Sequence, residues 1–352
     1  MTTRIVLIGE ARGAKEALLD HGFVGPSGQE LARMLGQTGI LPEPRQYPSE
    51  HDMIAYWRNA RNEGVEIANV FEVHPQDNDI ELFFTDAKNG LRTMPPMRPG
   101  KYLRPDMEHH VVALREKVRR LEPNLVIALG NTACWAMLEE SKISVLRGTV
   151  KQSKIVNAKV LPTYHPAAVL RQWNLRPIVM SDFEKAKTEC EFGAIRRIER
   201  WVTIEPTLAE IAEWITRPAE FYAVDIENPY KIISMIGFAR SPQDALVIPF
   251  IDERKPGWNY WPTVDMEMQA WRYVDHLLRT NVPKTFQNGI YDLTHLLLAG
   301  LRPNACKDDT MLLHHALYPE MLKSLGFLGS VYSNEIAWKS MRTKGNNLKR
   351  DE

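Results

Sequence analysis

The sequence predicts an α/β protein of two domains. Short apolar segments alternate with helical ones through residues 1–190, which is typical of a mostly parallel sheet with helices between its strands. The chain has 352 residues, more than one hydrophobic core usually holds, so two domains are expected. Its character changes near residue 196, where a charged helical stretch gives way to a new strand. We therefore place the domains at 1–195 and 196–352.

Four apolar segments predict the buried strands of the first domain, and two amphipathic stretches predict helices between them. The strands are "RIVLIGE" (4–10), "VEIANVFEV" (65–73), "NLVIALG" (124–130) and "KVLPTYHP" (159–166), and the helices cover residues 28–39 and 107–121.

Composition limits the class of protein. Hydrophobic content of 44% and charged content of 25% are those of a globular protein, and no apolar run reaches the length of a membrane span. The three cysteines, Cys134, Cys190 and Cys306, are far apart, which argues against a disulfide framework and fits a reducing cytoplasm. Because the formal net charge is zero, any nucleic-acid binding has to come from local basic patches. Each such patch is also explained as an ordinary solvated surface.

Polar residues or turns mark the ends of the predicted parallel strands. Glu10 ends the first strand, Asn69 lies in the second, Gly130 and Asn131 follow the third, and His165 follows the fourth. Ligands of such sheets bind at the carboxyl ends of the strands. Since Pro166 pushes His165 towards extended geometry, the histidine is expected at the transition from strand to loop. These strand ends predict one site, although each residue also has a purely structural interpretation: a turn histidine, a bulge asparagine, or a glutamate that caps a helix.

An ordered set of motifs resembles the uracil-DNA glycosylase superfamily, closest to its family 4 type. The motifs are "GEARGAKEALLDHGFVGPSGQEL" (9–31), "IANVFEVHPQDN" (67–78), "PNLVIALGNTA" (123–133), "LRGTV" (146–150) and "TYHPAAVLR" (163–171). The resemblance covers roughly residues 4–190. It implies a three-layer α/β/α fold with a parallel central sheet, and a substrate of uracil-containing DNA, single- or double-stranded.

The resemblance also implies a role for each site residue. Phe23 would stack on uracil, Asn69 would read its Watson–Crick edge, and His165 would donate a hydrogen bond to its O2. Glu10 would orient or activate water, with Ala11 beside it at the base. Contacts with DNA would come from Arg12, Arg147, Leu170 as a wedge, and Arg171 on phosphate. Phe23 alone is equally well explained as a core aromatic residue.

Two departures from the family pattern affect these expectations. Arg12 stands where the family motif has proline, and an arginine there would either contact the DNA backbone or obstruct the pocket. Family 4 proteins usually carry four cysteines for an iron–sulfur cluster, and none of those positions survives, as "VFEVHPQDN" shows after Asn69. No cofactor, and no iron–sulfur cluster, is expected in this domain.

The second domain carries paired carboxylates. In "EFYAVDIENP" (220–229), Asp225 and Glu227 are two apart on a predicted strand and so share one face, where like charges favour a cation. Two further strands, "ISMIGFAR" and "DALVIPFI", predict an antiparallel run. "KTFQNGIYDLTHLLLAG" (284–300) then places Asn288 and Asp292 on one face of a helix start.

These motifs, followed by "DDTMLLHHALYP", resemble the 3′–5′ proofreading exonuclease domain of family A DNA polymerases, especially phage versions. The resemblance implies an RNase H-like α/β fold in which Asp225, Glu227 and Asp292 bind Mg²⁺ or Mn²⁺, with Asp309 near the site but not a ligand. The family completes its site with a last motif, Tyr-x-x-x-Asp, which is missing here. Asn347 and Asp351 have the spacing of that motif but lack the tyrosine.

The sequence therefore predicts an enzyme that excises uracil from DNA, attached to an incomplete exonuclease domain. A separately encoded polymerase is a candidate partner, no membrane is involved, and the location is the cytoplasm of a bacterial or phage-infected cell. Two alternatives stay open. One is a non-catalytic module that binds uracil or single-stranded DNA and docks a polymerase. The other is a metal-dependent exonuclease with an inert glycosylase half.

Overall fold

The computed structural model describes residues 3–196, 198–229 and 232–333, which form two compact units. The first unit runs to Arg196 and also contains the described residues from Gly326 onward, and the second runs from Arg197 to Leu325. The boundary lies one residue from the predicted one, but no local pattern indicated that the chain rejoins the first unit. None of the helices within these ranges is long and apolar enough to cross a membrane.

A five-stranded sheet forms the centre of the first unit. Its order is β2-β1-β5-β7-β6, and every neighbouring pair is parallel except β6 with β7. A separate antiparallel pair joins β3 to β4. The strands are β1 (Ile5–Ala11), β2 (Val65–Phe71), β3 (Phe84–Thr85), β4 (Tyr102–Leu103), β5 (Leu125–Leu129), β6 (Lys151–Gln152) and β7 (Lys159–Thr163).

Helices cover both faces of this sheet because its strands are apolar on both sides. Ile5 and Leu7 pack with α2, α3, α7 and α8 on one face, while Val6 and Ile8 pack with α4 and α5 on the other. The predicted α/β/α layering is therefore present. The helices are α1 (Ala14–Leu18), α2 (Pro26–Gln37), α3 (Glu50–Asn62), α4 (Glu108–Leu121), α5 (Gly130–Leu138), α6 (Ile143–Leu146), α7 (Pro166–Arg171) and α8 (Arg176–Glu189).

The four strands predicted for this unit all form, with shorter ends on two of them. β2 stops at Phe71 and β7 at Thr163, because the chain then turns into a loop and into α7. Helices α1, α3, α5, α6 and α7 were not predicted. α5 begins directly at Gly130, where the sequence shows an almost continuous apolar run from β5 with no separating polar segment.

The second unit holds a six-stranded mixed sheet of order β13-β12-β9-β10-β11-β8. Strands β9, β10 and β11 run antiparallel, as predicted, and the other neighbours are parallel. The elements are β8 (Trp201–Thr203), α9 (Leu208–Thr216), β9 (Tyr222–Glu227), β10 (Met235–Ala239), β11 (Asp244–Pro249), α10 (Val264–Arg279), β12 (Lys284–Phe286), α11 (Gly289–Leu298), β13 (Cys306–Asp309) and α12 (Thr310–Leu317). Helix α13 (Leu325–Tyr332) follows, and from Gly326 onward it belongs to the first unit.

A buried polar network in the first unit involves Arg147 and the residues that follow Gly326. The Arg147 side chain is 4% exposed and forms a bidentate ion pair with Asp182, with Nε 3.2 Å from Oδ2. It also donates to Ser330 Oγ at 2.7 Å. Lys185 donates to the carbonyls of Gly148, at 2.6 Å, and of Ser330. This placement contradicts the prediction that Arg147 contacts DNA, because its guanidinium is enclosed by protein.

We expect Arg147→Ala to lower the free energy of unfolding by about 3–5 kcal/mol, since Asp182 would stay buried without its cation. Denaturant unfolding measures the change. Arg45→Ala is the matched control, because Arg45 pairs with Asp52 on the surface, and its loss should cost less than about 0.5 kcal/mol. An Arg147→Ala protein with the stability of the parent would contradict this assignment.

Candidate functional site

The carboxyl ends of the parallel strands converge on one cavity of the first unit. Glu10 from β1, Asn69 from β2 and His165 after β7 all line it, together with Phe23 and Arg171, and its volume is about 680 Å³. Gly130 and Asn131, at the start of α5, border it as well. The structure therefore brings together the residues that the sequence placed at one edge of the sheet.

Phe23 and Asn69 meet across Gly9. The register of β1 with β2 sets Gly9 opposite Asn69, and the Phe23 ring lies over the same glycine. A Cβ atom on Gly9 would approach Phe23 Cζ to 2.7 Å and would also overlap Asn69 Oδ1. Only glycine leaves room for this pair, so Gly9 sets how closely the two side chains approach the strand.

The loop around Phe23 is held in an unusual backbone conformation. Phe23 has φ of +60°, a left-handed conformation that is rare for a bulky residue. Trp57 donates from Nε1 to the Phe23 carbonyl at 2.9 Å, and the two rings pack 5.9 Å apart. Phe23 is 3% exposed and belongs to the core, and it also lines the cavity wall. Its stacking on uracil stays a prediction.

The Asn69 carboxamide has its hydrogen-bonding groups available. Asn69 is 4% exposed, yet within the part of the chain that the structure describes its side chain makes no hydrogen bond. The β1–β2 pairing keeps a constant register through it, which excludes the bulge interpretation. Because its amide lines the cavity, this group is suited to a ligand that offers both a donor and an acceptor.

His165 forms the N-cap of α7. Its Nδ1 accepts a hydrogen bond from the Ala167 backbone N–H at 3.1 Å, which places the proton of the neutral ring on Nε2. Burial lowers the pKa of His165 to about 4, and the positive charge of Arg171 adds to this shift. At neutral pH the cavity therefore contains an uncharged imidazole whose Nε2–H can donate.

Glu10 is the carboxylate of the cavity. Thr132, at the first turn of α5, donates its hydroxyl proton to Glu10 Oε2. Burial raises the pKa of Glu10, while the Thr132 hydrogen bond and the charge of Arg171 oppose that rise. Glu10 does not cap the following helix, because the N-cap of α1 is Gly13, whose N–H donates to Glu16 at 3.0 Å.

The remaining predicted residues of the first unit occupy different environments. Ala11 and Arg171 line the cavity, and Leu170 lies outside the cavity wall with 45% of its surface exposed. Arg12 borders the cavity, but its guanidinium is bound by Asp20 and Glu72, with Nε 2.7 Å from Glu72 Oε2. The two roles expected of Arg12, a contact with the DNA backbone or obstruction of the pocket, stay predictions.

The carboxylates of the second unit lie near one another. Asp225 and Glu227 are exposed on the same face of β9, and Asp292 Oδ1 accepts from the Ile226 N–H at 3.1 Å. Burial, followed by the charge of Asp225, raises the pKa of Asp292 to about 6. Burial and the charge of Glu227 raise the pKa of Asp225.

The assignment of these three carboxylates as metal ligands stays a prediction. Within residues 3–196, 198–229 and 232–333, no group of three or more His, Cys, Asp or Glu side chains is placed to hold a metal ion. Asp309 caps two helices instead, accepting from the N–H groups of Gly289 at 2.7 Å and Met311 at 2.8 Å. Asn347 and Asp351, considered for the missing last motif, lie outside the described residues.

Comparison with known proteins agrees with the geometry of the first unit. Residues 1–190 match the uracil DNA glycosylase superfamily. The type-4 uracil-DNA glycosylase of Thermotoga maritima is 29% identical over 193 residues, which cover 53% of this chain and 78% of the relative. That of Archaeoglobus fulgidus is 30% identical over 193 residues, covering 53% and 76%. The chain belongs to the uracil-DNA glycosylase superfamily.

Two residues at the site were missed by the sequence-based prediction. Thr132 lies inside the "GNTA" segment that marks the family, but its contact with Glu10 joins residues that are 122 positions apart. Gly9 was given no role of its own, although it begins the motif of residues 9–31. Its tight packing depends on the register of β1 with β2, which no local pattern encodes.

We expect Gly9→Ala to disrupt the cavity, because the added methyl group would displace Phe23 and Asn69. Binding of free uracil, measured by calorimetry, should be lost. Gly100→Ala is the control, since no atom lies within 4 Å of its added Cβ, although its φ of +77° strains an alanine there. It should lose some stability and keep the cavity. Unchanged binding by Gly9→Ala would contradict the packing described above.

We expect Thr132→Val to raise the pKa of Glu10 further, because the hydroxyl favours the ionised carboxylate. A ¹³C NMR titration of the Glu10 carboxyl group measures the shift. Thr132→Ser keeps the hydroxyl and should restore a value near that of the parent. An identical pKa in the valine variant and the parent would exclude Thr132 as a partner that tunes Glu10.

Proposed function

We propose that the protein excises uracil from DNA by hydrolysing the N-glycosidic bond. The observation that carries this proposal is one cavity lined by a neutral imidazole donor, a nearly buried carboxamide without partners and an aromatic ring. A flipped pyrimidine needs these groups: a face for stacking, an amide to read its edge and a donor for its oxygen. The type-4 relatives are named for this activity.

Each group has a defined task in this reaction. Phe23 stacks on the base, and Asn69 donates to and accepts from the uracil edge. As the bond between C1′ and N1 breaks, its electron pair moves onto uracil, and His165 Nε2–H stabilises the charge that develops on O2. A neutral donor suits this task, because uracil leaves as an anion that needs a hydrogen bond and not a full proton transfer.

Glu10 acts on water. The sugar becomes electron-poor at C1′ as the base departs, and a water molecule held by Glu10 adds there and gives up its proton. The raised pKa of Glu10 makes the carboxylate a better proton acceptor, and activity is lost as acid protonates it. Leu170 and Arg171 follow His165 on α7, where an exposed apolar side chain can fill the gap left by the flipped base and a cation can meet phosphate.

This chemistry needs no iron–sulfur cluster in our proposal. A family 4 cluster takes four thiolates, whereas this chain has three cysteines. Cys134 and Cys190 are buried in the first unit, and Cys306 lies in the second unit. The residues present do not fit such a cluster.

For the second unit we propose an RNase H-like domain of the proofreading-exonuclease type. The order β13-β12-β9-β10-β11, with β9 to β11 antiparallel, supports that fold. We assign this unit no reaction of its own, although Asp225, Glu227 and Asp292 are the residues that would bind Mg²⁺ or Mn²⁺ in a domain of this type. We propose instead that it serves as an accessory module for DNA or for a separately encoded polymerase of phage type, working in the cytoplasm.

The first test is excision from a labelled single-stranded oligonucleotide that carries one uracil, in EDTA, followed by alkali. Cleavage at the uracil alone is expected, and His165→Ala and Asn69→Ala should each lower the rate at least about 100-fold. His109→Ala and Asn62→Ala, two exposed residues, are the controls and should keep activity. Duplexes with U·A and U·G pairs then define the preferred strand state.

The outcomes separate the hypotheses. No cleavage in EDTA with tight binding of the uracil strand would favour the non-catalytic binding module. Digestion from the 3′ end only after Mg²⁺ or Mn²⁺ is added would favour the exonuclease alternative and an inert first unit.

A further inference from the structure

Arg12 joins two carboxylates from different parts of the first unit. Its Nε donates to Glu72 Oε2 at 2.7 Å, and its Nη1 donates to Asp20 Oδ1. The Arg12 side chain is 18% exposed, although Asp20 is largely in solvent. The backbone of Arg12 is fixed as well, because its carbonyl lies 3.1 Å from His74 Nδ1.

Each carboxylate is linked to one of the residues that would contact the base. Asp20 lies three residues before Phe23, and both have left-handed φ, +49° and +60°. Non-glycine residues keep such conformations only where the surroundings hold them. Glu72 Oε1 accepts from the Asn69 backbone N–H at 3.4 Å. The Asp20–Arg12–Glu72 bridge therefore connects the Phe23 loop to the Asn69 strand.

A second cavity supports this interpretation. It has a volume of about 130 Å³, and its walls include all three members of the bridge together with Phe23 and Asn69. The bridge thus lies next to the pair that it connects. The packing at Gly9 fixes one side of that pair, and the bridge restrains the other.

Electrostatics argue against a phosphate contact at Arg12. One guanidinium is matched by two carboxylates, and Arg12 holds the pKa of Asp20 below its usual range, so the bridge as a whole is negative near neutral pH. A phosphate would have to displace one carboxylate and would be repelled by the other. Arg171, which is exposed and has no such partners among the described residues, is better suited to that task.

We propose that Arg12 is a positioning residue that holds the Phe23 loop against the Asn69 strand through the Asp20–Arg12–Glu72 bridge. This inference rests on the proposed function in so far as Phe23 and Asn69 bind the base. In this proposal Arg12 affects how the pocket binds the base, and it does not bind the DNA backbone.

The test compares Arg12→Ala, Asp20→Asn, Glu72→Gln and the corresponding double variants. Loss of the bridge should lower the single-turnover rate of uracil excision about 10- to 100-fold, because small misplacements of binding groups have effects of that size. The double variants should be little worse than Arg12→Ala alone, since all the changes break one bridge. Arg45→Ala, another arginine paired with a carboxylate, should leave the rate unchanged.

Salt dependence separates positioning from a phosphate contact. The slope of log K against log[salt] for binding of the oligonucleotide should be the same for Arg12→Ala and the parent. Arg171→Ala should reduce its magnitude by about 1. A reduced slope in Arg12→Ala with an unchanged excision rate would overturn the proposal in favour of a phosphate contact. Faster excision in Arg12→Ala would overturn it in favour of an obstructing side chain.

Hydrogen exchange of the backbone amides of residues 18–25 reports on the bridge independently of uracil excision. Arg12→Ala and Asp20→Asn should both speed exchange of the amides in this loop, whereas Arg45→Ala should not. If the parent fails to excise uracil but this exchange pattern appears, the proposed function fails and the bridge stands. If uracil is excised and exchange is unaltered, the bridge fails and the proposed function stands.

Discussion

The site depends on how closely the Phe23 ring and the Asn69 carboxamide approach the backbone of β1. Both side chains pack where a Cβ atom on Gly9 would lie, so the strand has to be bare at that point. Parallel pairing of β1 with β2 puts Asn69 there, and the left-handed loop at Phe23 brings in the ring. Glu10 follows in the next position of β1 and His165 enters from β7, two strands away in the sheet.

The polar groups of the cavity are set by their partners and not by their residue types alone. His165 is neutral because it is buried and its Nδ1 already accepts from Ala167, and the same histidine on the surface would titrate near neutrality. Glu10 balances burial against a hydroxyl and a nearby cation. At Asn69 and His165 the cavity therefore offers neutral hydrogen-bonding groups, which suits a neutral base that acquires charge only while it departs.

Local patterns predicted the strands, the converging strand ends and the family motifs, because periodicity and turn chemistry are written in neighbouring residues. They could not predict contacts that join distant positions. Arg147 lies in a stretch rich in basic residues, which is typical of an exposed surface, yet Asp182 and Ser330 enclose its side chain. Thr132 and Arg12 obtain their roles from Glu10, Asp20 and Glu72 in the same way. In the second unit, the DxE spacing correctly put Asp225 and Glu227 on one face, but a metal site needs a third and fourth ligand whose positions spacing cannot supply.

The return of the chain to the first unit after Gly326 sets an order in which the protein can be completed during synthesis. Arg147 emerges from the ribosome 183 residues before Ser330, and the whole second unit is made in between. Until Ser330 has been made, the Lys185 ammonium group also lacks the Ser330 carbonyl as a hydrogen-bond acceptor. The nascent first unit therefore has to keep these polar groups hydrated, and it reaches its final packing only after the second unit has left the ribosome.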